Sequence, residues 1–258
     1  MRVGRTRGRD RARGHSPPVF SPASISGLVG WWDFTTLGLP DTTPIASVPD
    51  RSGHLHDATQ SSGSAKPTFS LNAFNDRSVG VFDGVDDSLV GTSGIAANSP
   101  MTLVAVVLRG TTGAYKDVLA FGQAASYKEI AIMWDAAGTH LAVGNFAGPS
   151  TDKGDCYTND ANTPFLITSV VYDPPARPVM FKDGATLTYT SAPTDWSGVN
   201  INNGSNNYPF AIGAASDGVS YAASVKVAMA MVYDRALSSS ERSLLERWLG
   251  GYFGITVS

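Results

Sequence analysis

Cysteine, charged residues and long apolar runs are all scarce in this chain of 258 residues. The single cysteine, Cys156, excludes a fold held together by disulfides within the chain. Charged residues make up 16% of the sequence, below the roughly 25% of an average domain. The longest apolar run, residues 227–233, has the length of a strand and is too short to span a membrane. The basic N-terminus is not followed by the apolar stretch of a secretory signal peptide, so we expect no such signal.

Residue types that commonly carry catalysis are also few. Of the three glutamates, Glu241 and Glu246 lie in a predicted helix, which leaves Glu129 without the second glutamate of a glycoside hydrolase. Asp86 and Asp87 are adjacent, and adjacent residues of a strand point to opposite faces. The four histidines lie in no recognisable nucleophile motif. The sequence therefore predicts a protein that is not an enzyme, with a divergent glycoside hydrolase as the weaker alternative.

Positive charge is concentrated at the N-terminus. Residues 1–14 contain six of the 19 basic residues and one of the 22 acidic ones, so their net charge is +5 and that of the remainder is −8. Without apolar periodicity this segment cannot fold alone. We interpret residues 1–19 as an extended arm that anchors the protein to an acidic partner, and residues 20–258 as one folded domain. The arginines of the arm are Arg2, Arg5, Arg7, Arg9, Arg11 and Arg13.

Short apolar segments separated by turn signals follow from Leu28 onward. Asp83-Gly84, Asp183-Gly184, Asn203-Gly204 and Asp217-Gly218 can adopt the positive φ values that tight turns require. Many short strands at this spacing indicate a β-sandwich or a β-barrel. The predicted strands are residues 28–34, 78–82, 103–108, 118–121, 129–134, 141–145, 165–172, 179–182, 186–190, 210–212 and 224–233.

The last predicted strand, residues 224–233, is apolar on both faces and is therefore expected to be central and covered on each side. Strict alternation assigns one set of side chains to one face: Val225, Val227, Met229 and Met231. The opposite set is Lys226, Ala228, Ala230 and Val232.

One helix is predicted, at the C-terminus. Ser238 and Glu241 have the spacing of a capping box, and Gly250-Gly251 is expected to end the helix. An apolar stripe with helical spacing predicts that the helix packs on the sandwich; it consists of Leu244, Leu245, Trp248, Leu249, Tyr252 and Phe253. The opposite side would carry Arg242, Glu246 and Arg247.

Several short motifs occur in a specific order along residues 20–255. They are Leu28-Val-Gly-Trp-Trp-Asp33, Asp50-Arg-Ser-Gly53, His56-Asp-Ala-Thr-Gln60, Val81-Phe-Asp-Gly-Val-Asp-Asp87, Lys182-Asp-Gly184 and Val232-Tyr-Asp-Arg-Ala-Leu-Ser238. In this order they resemble the laminin G-like, concanavalin A-like lectin domains. The resemblance implies an all-β, two-sheet antiparallel jelly-roll sandwich with one C-terminal helix. It also implies an adhesive role in binding glycans or proteins, sometimes with calcium.

Candidate binding residues lie in two places. Aromatic and amide side chains suited to glycan binding are concentrated in two polar segments: Trp196, Asn202, Asn203, Asn206, Asn207 and Tyr208, with Tyr157 and Asn159. The alternative is that these segments only form turns. Asp83, Asp86 and Asp87 offer the oxygen ligands that calcium takes, although aspartates in such turns also bind their own backbone. The two histidines of His54-Leu-His56-Asp57 are predicted to serve a turn rather than zinc.

An N-terminal arm on such a domain resembles bacteriophage virion proteins such as head spikes, head decorations and tail-fibre components. We therefore expect a virion surface protein that is anchored by the arm, forms a homo-oligomer and contacts host cell-surface polysaccharide. The partners at the arm would be other virion proteins. No membrane insertion is expected, and the acidic body argues against nucleic acid. The alternative is a structural decoration or cement protein that binds no sugar.

Overall fold

The computed structural model describes residues 20–95, 100–110, 116–123, 128–134, 141–144, 156–158, 166–191 and 209–258. Two short 3-10 turns, Pro22–Ser24 and Phe34–Thr36, flank the first strand. The strands are β1 Leu28–Asp33, β2 Ser47–Val48, β3 Ala58–Thr59, β4 Thr68–Phe74, β5 Arg77–Asp83, β6 Leu89–Thr92, β7 Met101–Arg109, β8 Lys116–Gln123, β9 Lys128–Trp134, β10 Leu141–Gly144, β11 Cys156–Thr158, β12 Leu166–Tyr172, β13 Val179–Lys182, β14 Ala185–Thr186, β15 Tyr189–Ser191, β16 Pro209–Ile212 and β17 Ser224–Tyr233. The helix, α1, is Ser239–Phe253.

Two antiparallel sheets form a sandwich, which confirms the predicted fold class. The described strands of the first sheet follow the order β14-β13-β12-β7-β17-β5-β4, and β1 pairs with β17 off this path. The second sheet has the order β15-β11-β10-β9-β8-β16-β6-β3-β2. Edge strands β14 and β15 follow each other in the chain, so the polypeptide passes from one sheet to the other at this edge.

Aromatic side chains fill the space between the sheets. The Trp32 ring lies 4.3 Å from the Phe210 ring and 6.5 Å from the Phe121 ring, measured between centroids. The indole N–H of Trp32 donates to the carbonyl oxygen of His56 at 2.8 Å, so its one polar atom is paired within the core. Large buried aromatics dominate the apolar contribution to folding, because each removes a wide surface from water.

The central strand β17 does not alternate strictly along its length. Its pairing with β7 shifts register between Val227 and Met229, which leaves Ala228 as a bulge. Val225 and Val227 point into the core between the sheets, whereas Met229 lies on the outer face of the first sheet. The prediction that these three side chains share a face is therefore wrong, because one extra residue reverses the alternation beyond it.

Helix α1 covers the outer face of the first sheet. Leu245, Leu249 and Phe253 are fully buried against residues of that face such as Met231. Ser238 and Glu241 form the predicted capping box, with the Glu241 N–H donating to Ser238 Oγ at 3.3 Å and the Ser238 N–H donating to Glu241 Oε2 at 3.0 Å.

The helix continues through the glycine pair that was predicted to end it. Gly254, with φ of 68°, forms the C-cap, and its N–H donates to the carbonyl oxygen of Gly250. A Cβ at Gly250 would lie 2.7 Å from the carbonyl oxygen of Ile255. Gly250 therefore serves the close approach of the C-terminal tail, not helix termination.

Two charged residues of α1, Arg242 and Glu246, are buried between the helix and the sheet. Their side chains form an ion pair, and Ser169 Oγ on β12 donates to Glu246 Oε1 at 2.6 Å. The guanidinium carbon of Arg242 lies 3.6 Å from the centroid of the Phe181 ring on β13. The prediction that these two residues lie on the side of the helix opposite the packed stripe is wrong, because their partners lie on the sheet. Leu244, assigned to the apolar stripe, is 44% exposed.

The hairpin between β4 and β5 holds the end of α1. The side-chain amide of Asn75 donates to the carbonyl oxygen of Phe253 at 2.6 Å, and Arg77 Nε donates to that of Tyr252 at 2.6 Å. The Arg77 guanidinium also lies 3.5 Å from the centroid of the Tyr252 ring. Carbonyl groups that the last helical turn leaves unpaired are satisfied in this way.

Among the described residues, no helix has both the length and the hydropathy needed to cross a membrane.

Candidate functional site

Three aspartates meet in the turn after β5. Ligand oxygens of Asp83, Asp86 and Asp87 all lie within 4.8 Å of one another. Asp83 Oδ1 accepts the N–H groups of Val85 at 2.8 Å and Asp86 at 3.3 Å, and Asp87 Oδ2 accepts the N–H of Asp83 at 2.9 Å. The donor type fits a hard cation such as calcium, while the turn itself uses one oxygen each of Asp83 and Asp87.

The environment of Asp87 disfavours its charged form. Burial raises the pKa of Asp87 to about 6, the hydrogen bond from the Asp83 N–H opposes this rise, and the charges of Asp83 and Asp86 add to it. The three aspartates lie together because a single turn carries all of them, and the calcium site itself stays a prediction.

The two-histidine segment serves the packing of β1. His56 Nδ1 lies 2.8 Å from the carbonyl oxygen of Val29, and the Asp57 carboxylate accepts the N–H of Asp50 at 2.9 Å. Asp50 in turn accepts the N–H of Trp31 at 3.0 Å. Burial opposes ionisation of Asp50, yet hydrogen bonds to its carboxylate from Ser52 and from the backbone N–H groups of His56 and Trp31 hold its pKa below the ordinary value.

A buried acidic pair, absent from the sequence predictions, lies in the second sheet. Glu129 on β9 and Asp117 on β8 are both fully buried, and these two strands pair with each other. Glu129 Oε2 also accepts the backbone N–H of Ser216 at 2.5 Å. The search for a second glutamate missed Asp117, which stands beside Lys116 just before the predicted strand 118–121 and gives no signal of its own in the sequence.

Burial controls the protonation of Glu129. It raises the pKa of this carboxyl group to about 7, although hydrogen bonding to Ser216 favours the charged form. The nearby charge of Asp217 adds to the rise. Glu129 is therefore largely protonated at mildly acidic pH, when an ordinary glutamate is ionised.

A pocket of about 420 Å³ opens at the edge where the chain passes between the sheets. We call it the hairpin pocket; its lining consists of Arg177, Pro178, Val179, Thr186, Leu187, Thr188 and Tyr189. Residues 186–190 were predicted as one strand, but β14 ends in the first sheet at Thr186 and β15 begins in the second sheet at Tyr189. The prediction missed this crossover and, with it, the pocket.

Most of the predicted glycan-binding residues lie outside the described residues: Trp196, Asn202, Asn203, Asn206, Asn207, Tyr208 and Asn159. The same holds for the arginines of the arm. Tyr157 lies on β11, which pairs with β15; there Tyr157 is opposite Ser191 and Thr158 is opposite Tyr189. The strand β11, which carries the predicted binding residue Tyr157, thus lies beside the hairpin pocket.

No protein-family model matches the chain, and comparison with curated proteins gives no match. Solved structures do match. Trypanosoma rangeli sialidase in complex with sialic acid has a TM-score of 0.58 at 16% identity, covering 93% of this chain and 36% of that chain. The receptor binding domain of botulinum neurotoxin D has a TM-score of 0.58 at 6% identity, covering 89% of this chain and 54% of that one.

A third similar structure is Domain 4 of AbnA, a GH43 extracellular arabinanase from Geobacillus stearothermophilus, in complex with arabinotriose. Its TM-score is 0.52 at 14% identity, and the match covers 83% of this chain and 95% of that chain. By contrast, the chain spans about a third of the length of the sialidases it matches.

These matches correct one prediction. The sequence indicated that the chain is not an enzyme, but a sialidase structure solved as a covalent intermediate matches 91% of the chain. At these low identities the likeness shows the fold alone: this chain is a two-sheet β-sandwich of the kind found in sialidases, an arabinanase domain and a toxin receptor-binding domain.

Proposed function

We propose that the chain is a carbohydrate-binding β-sandwich domain. The observation that carries this proposal is the likeness to Domain 4 of AbnA, because nearly the whole of that arabinotriose-bound domain is matched. In that complex the domain binds an oligosaccharide without the other domains of its enzyme. A domain of this architecture is therefore able to bind a sugar by itself. The receptor-binding role printed for the neurotoxin D domain is a second case of this fold used for recognition.

The edge of the sandwich near β11 and β15 is the place where we expect the glycan. The candidate Tyr157 lies on β11, and the candidates from Trp196 to Tyr208 belong to the connection between β15 and β16. Edges and loops of a rigid sandwich commonly carry binding residues, because the sheets hold them in place while their sequence varies.

Binding is tested by titrating the intact chain with arabinotriose and with an array of neutral and acidic oligosaccharides. We expect a saturable signal for at least one class of sugar, and Trp196→Ala is expected to weaken it because aromatic faces stack on sugar rings.

Parallel titrations with calcium chloride and with EGTA test the calcium prediction for the Asp83, Asp86 and Asp87 turn. The same samples are examined for cleavage products. A blank array under both conditions would contradict the proposal.

We further propose that the domain is displayed on a phage or phage-like particle, with residues 1–19 as the anchoring arm. This finer proposal rests on the charge of +5 in residues 1–14 and on the sequence resemblance. Guanidinium groups bind carboxylates on another subunit through paired hydrogen bonds. A decoration protein that binds no sugar remains the alternative, and the glycan array separates the two.

Deletion of residues 1–19 is expected to abolish co-sedimentation with particles while the thermal midpoint of the domain stays unchanged. The matched control replaces the six arginines with lysines, which keeps the charge but removes the planar fork, and we expect partial retention. Particle incorporation of the deleted chain at the level of the intact chain would contradict the anchoring role.

A further inference from the structure

We propose that the hairpin pocket binds the acidic residue of an anionic saccharide, with Arg177 as the group that takes the carboxylate. The ligand class is a sugar ring that carries a carboxylate, as uronates and sialates do. This inference rests on the proposed function and adds to it a site and the charge of the ligand. It is carried by a free cation, a fixed aromatic ring and a cavity in one place.

The cation is the guanidinium of Arg177. Arg177 is exposed, and within the described part of the chain it has neither an ion-pair partner nor a hydrogen-bond partner. Its guanidinium carbon lies 5.0 Å from the centroid of the Tyr189 ring. Stacking on an aromatic ring occupies the flat face of a guanidinium and leaves its N–H edges free for a bidentate bond to a carboxylate.

The ring beneath Arg177 is held in position. Tyr189 Oη donates to the carbonyl oxygen of Pro178 at 3.0 Å, and the ring packs against the core between the sheets. Tyr189 also begins β15, which pairs with β11. A binding group supported in this way loses less freedom on binding than one on a mobile chain, so more of the interaction energy appears as affinity.

The remaining lining suits a sugar ring. Pro178 is buried and Leu187 half-buried, so the floor is apolar, while Thr186 and Thr188 are exposed at the rim with hydroxyl groups. The volume of about 420 Å³ lies within the range of roughly 300–1,000 Å³ for small-ligand sites. Apolar contact for the carbon face of a sugar and hydroxyl partners for its edges are thus present together.

Local charge favours an anion over a neutral sugar. None of the lining residues is acidic. The carboxylate of Asp183, on the hairpin turn, accepts the N–H of Ile167 at 2.8 Å and is thereby directed to the sheet. Because residues 15–258 carry a net charge of −8, the body as a whole repels an anionic ligand. Binding of such a ligand therefore depends on Arg177.

The test is calorimetric titration of the intact chain with sialyllactose, with a glucuronate-terminated disaccharide and with lactose as the neutral probe. We expect an acidic probe to bind more tightly than lactose and to weaken as salt is added. Arg177→Gln is expected to reduce that affinity by about tenfold to a hundredfold, the value of a lost charge-assisted hydrogen-bond pair. The acidic probe that binds more tightly shows whether the preferred ligand carries a sialate or a uronate.

The matched control is Arg247→Gln, which removes the same charge from an exposed position on α1 outside the pocket. It is expected to leave the affinity within a factor of about two. Acidic sugars that bind Arg177→Gln as well as the original chain, or a chain that prefers lactose, would overturn this inference while the proposed function stands. A chain that binds no sugar at all would overturn both.

Discussion

Replacement of Glu246 by alanine is expected to lower the free energy of unfolding by about 3–5 kcal/mol. The substitution leaves Arg242, a residue that is only 8% exposed, without its carboxylate partner. Ser169 Oγ loses its acceptor at the same time. An unpaired buried charge costs far more than the pair contributes, because the desolvation of the charge is no longer offset. Urea unfolding followed by fluorescence measures the difference.

Two further variants make this prediction specific. Arg242→Met combined with Glu246→Leu removes both charges and is expected to recover most of the lost stability, since apolar residues of similar volume often replace a buried pair at little cost. Arg247→Ala, on the exposed side of the same helix, is expected to change stability by less than about 0.5 kcal/mol. A Glu246→Ala chain within about 1 kcal/mol of the original would show that the pair is not buried as described.

Replacement of Glu129 by glutamine is expected to flatten the pH dependence of stability between about pH 4.5 and pH 7. In the unfolded chain Glu129 ionises near its ordinary pKa of 4.5, whereas burial raises its pKa to about 7 in the folded chain. Below the lower value both states hold the proton, so there is no penalty. Between the two values only the folded state keeps it, so stability falls as pH rises, by about 1.4 kcal/mol per unit at most.

Above pH 7 the folded chain carries a buried charge, and the accumulated penalty is about 3 kcal/mol. Glutamine avoids this penalty and can still accept the N–H of Ser216, so the Glu129→Gln chain should be the more stable one at pH 8. Denaturant unfolding from pH 4.5 to 8.5 measures both curves. Asp173→Asn, at an exposed acid, is the matched control and should keep the original slope. Parallel curves for the Glu129→Gln and original chains would contradict the prediction.

Strand content was predictable where local pattern decides it. Val179–Lys182 and Ser224–Tyr233 have the predicted bounds, and Asp183-Gly184 forms the turn after β13, with φ values of 47° and 90°. The bulge at Ala228 was not predictable, because small and apolar side chains suit both faces of a covered strand. Only pairing with β7 decides which residue is left out of register.

The helix shows the same difference between features that the local sequence decides and features that distant contacts decide. Its capping box could be read directly from Ser238 and Glu241, since both partners lie within one turn. The burial of Arg242 and Glu246 could not, because it depends on Ser169, which lies on another element. Charges at helical spacing ordinarily indicate a solvated face, and here a partner on the sheet reverses that expectation.

The candidate sites show the same difference between local and distant contacts. The aspartates after β5 were found because one turn holds all of them. The burial of Glu129 and Asp117 follows from strand pairing, and the hairpin pocket follows from a crossover between the sheets. The linear sequence reveals neither. The glycan-binding prediction for the segment from Trp196 to Tyr208 stays a prediction.

Strand β17 joins the two ends of the domain. One edge pairs with β7 along its length, and the other pairs first with β5 and then with β1, so that Leu28 lies opposite Tyr233. During synthesis the ribosome must therefore release nearly the entire domain before its central sheet can close. Contacts so distant in sequence slow folding, and a nascent chain would meanwhile expose β1 and β7 as unpaired apolar edges. We therefore expect this chain to fold more slowly than a helical bundle of equal length and to be more prone to aggregation until its synthesis is complete.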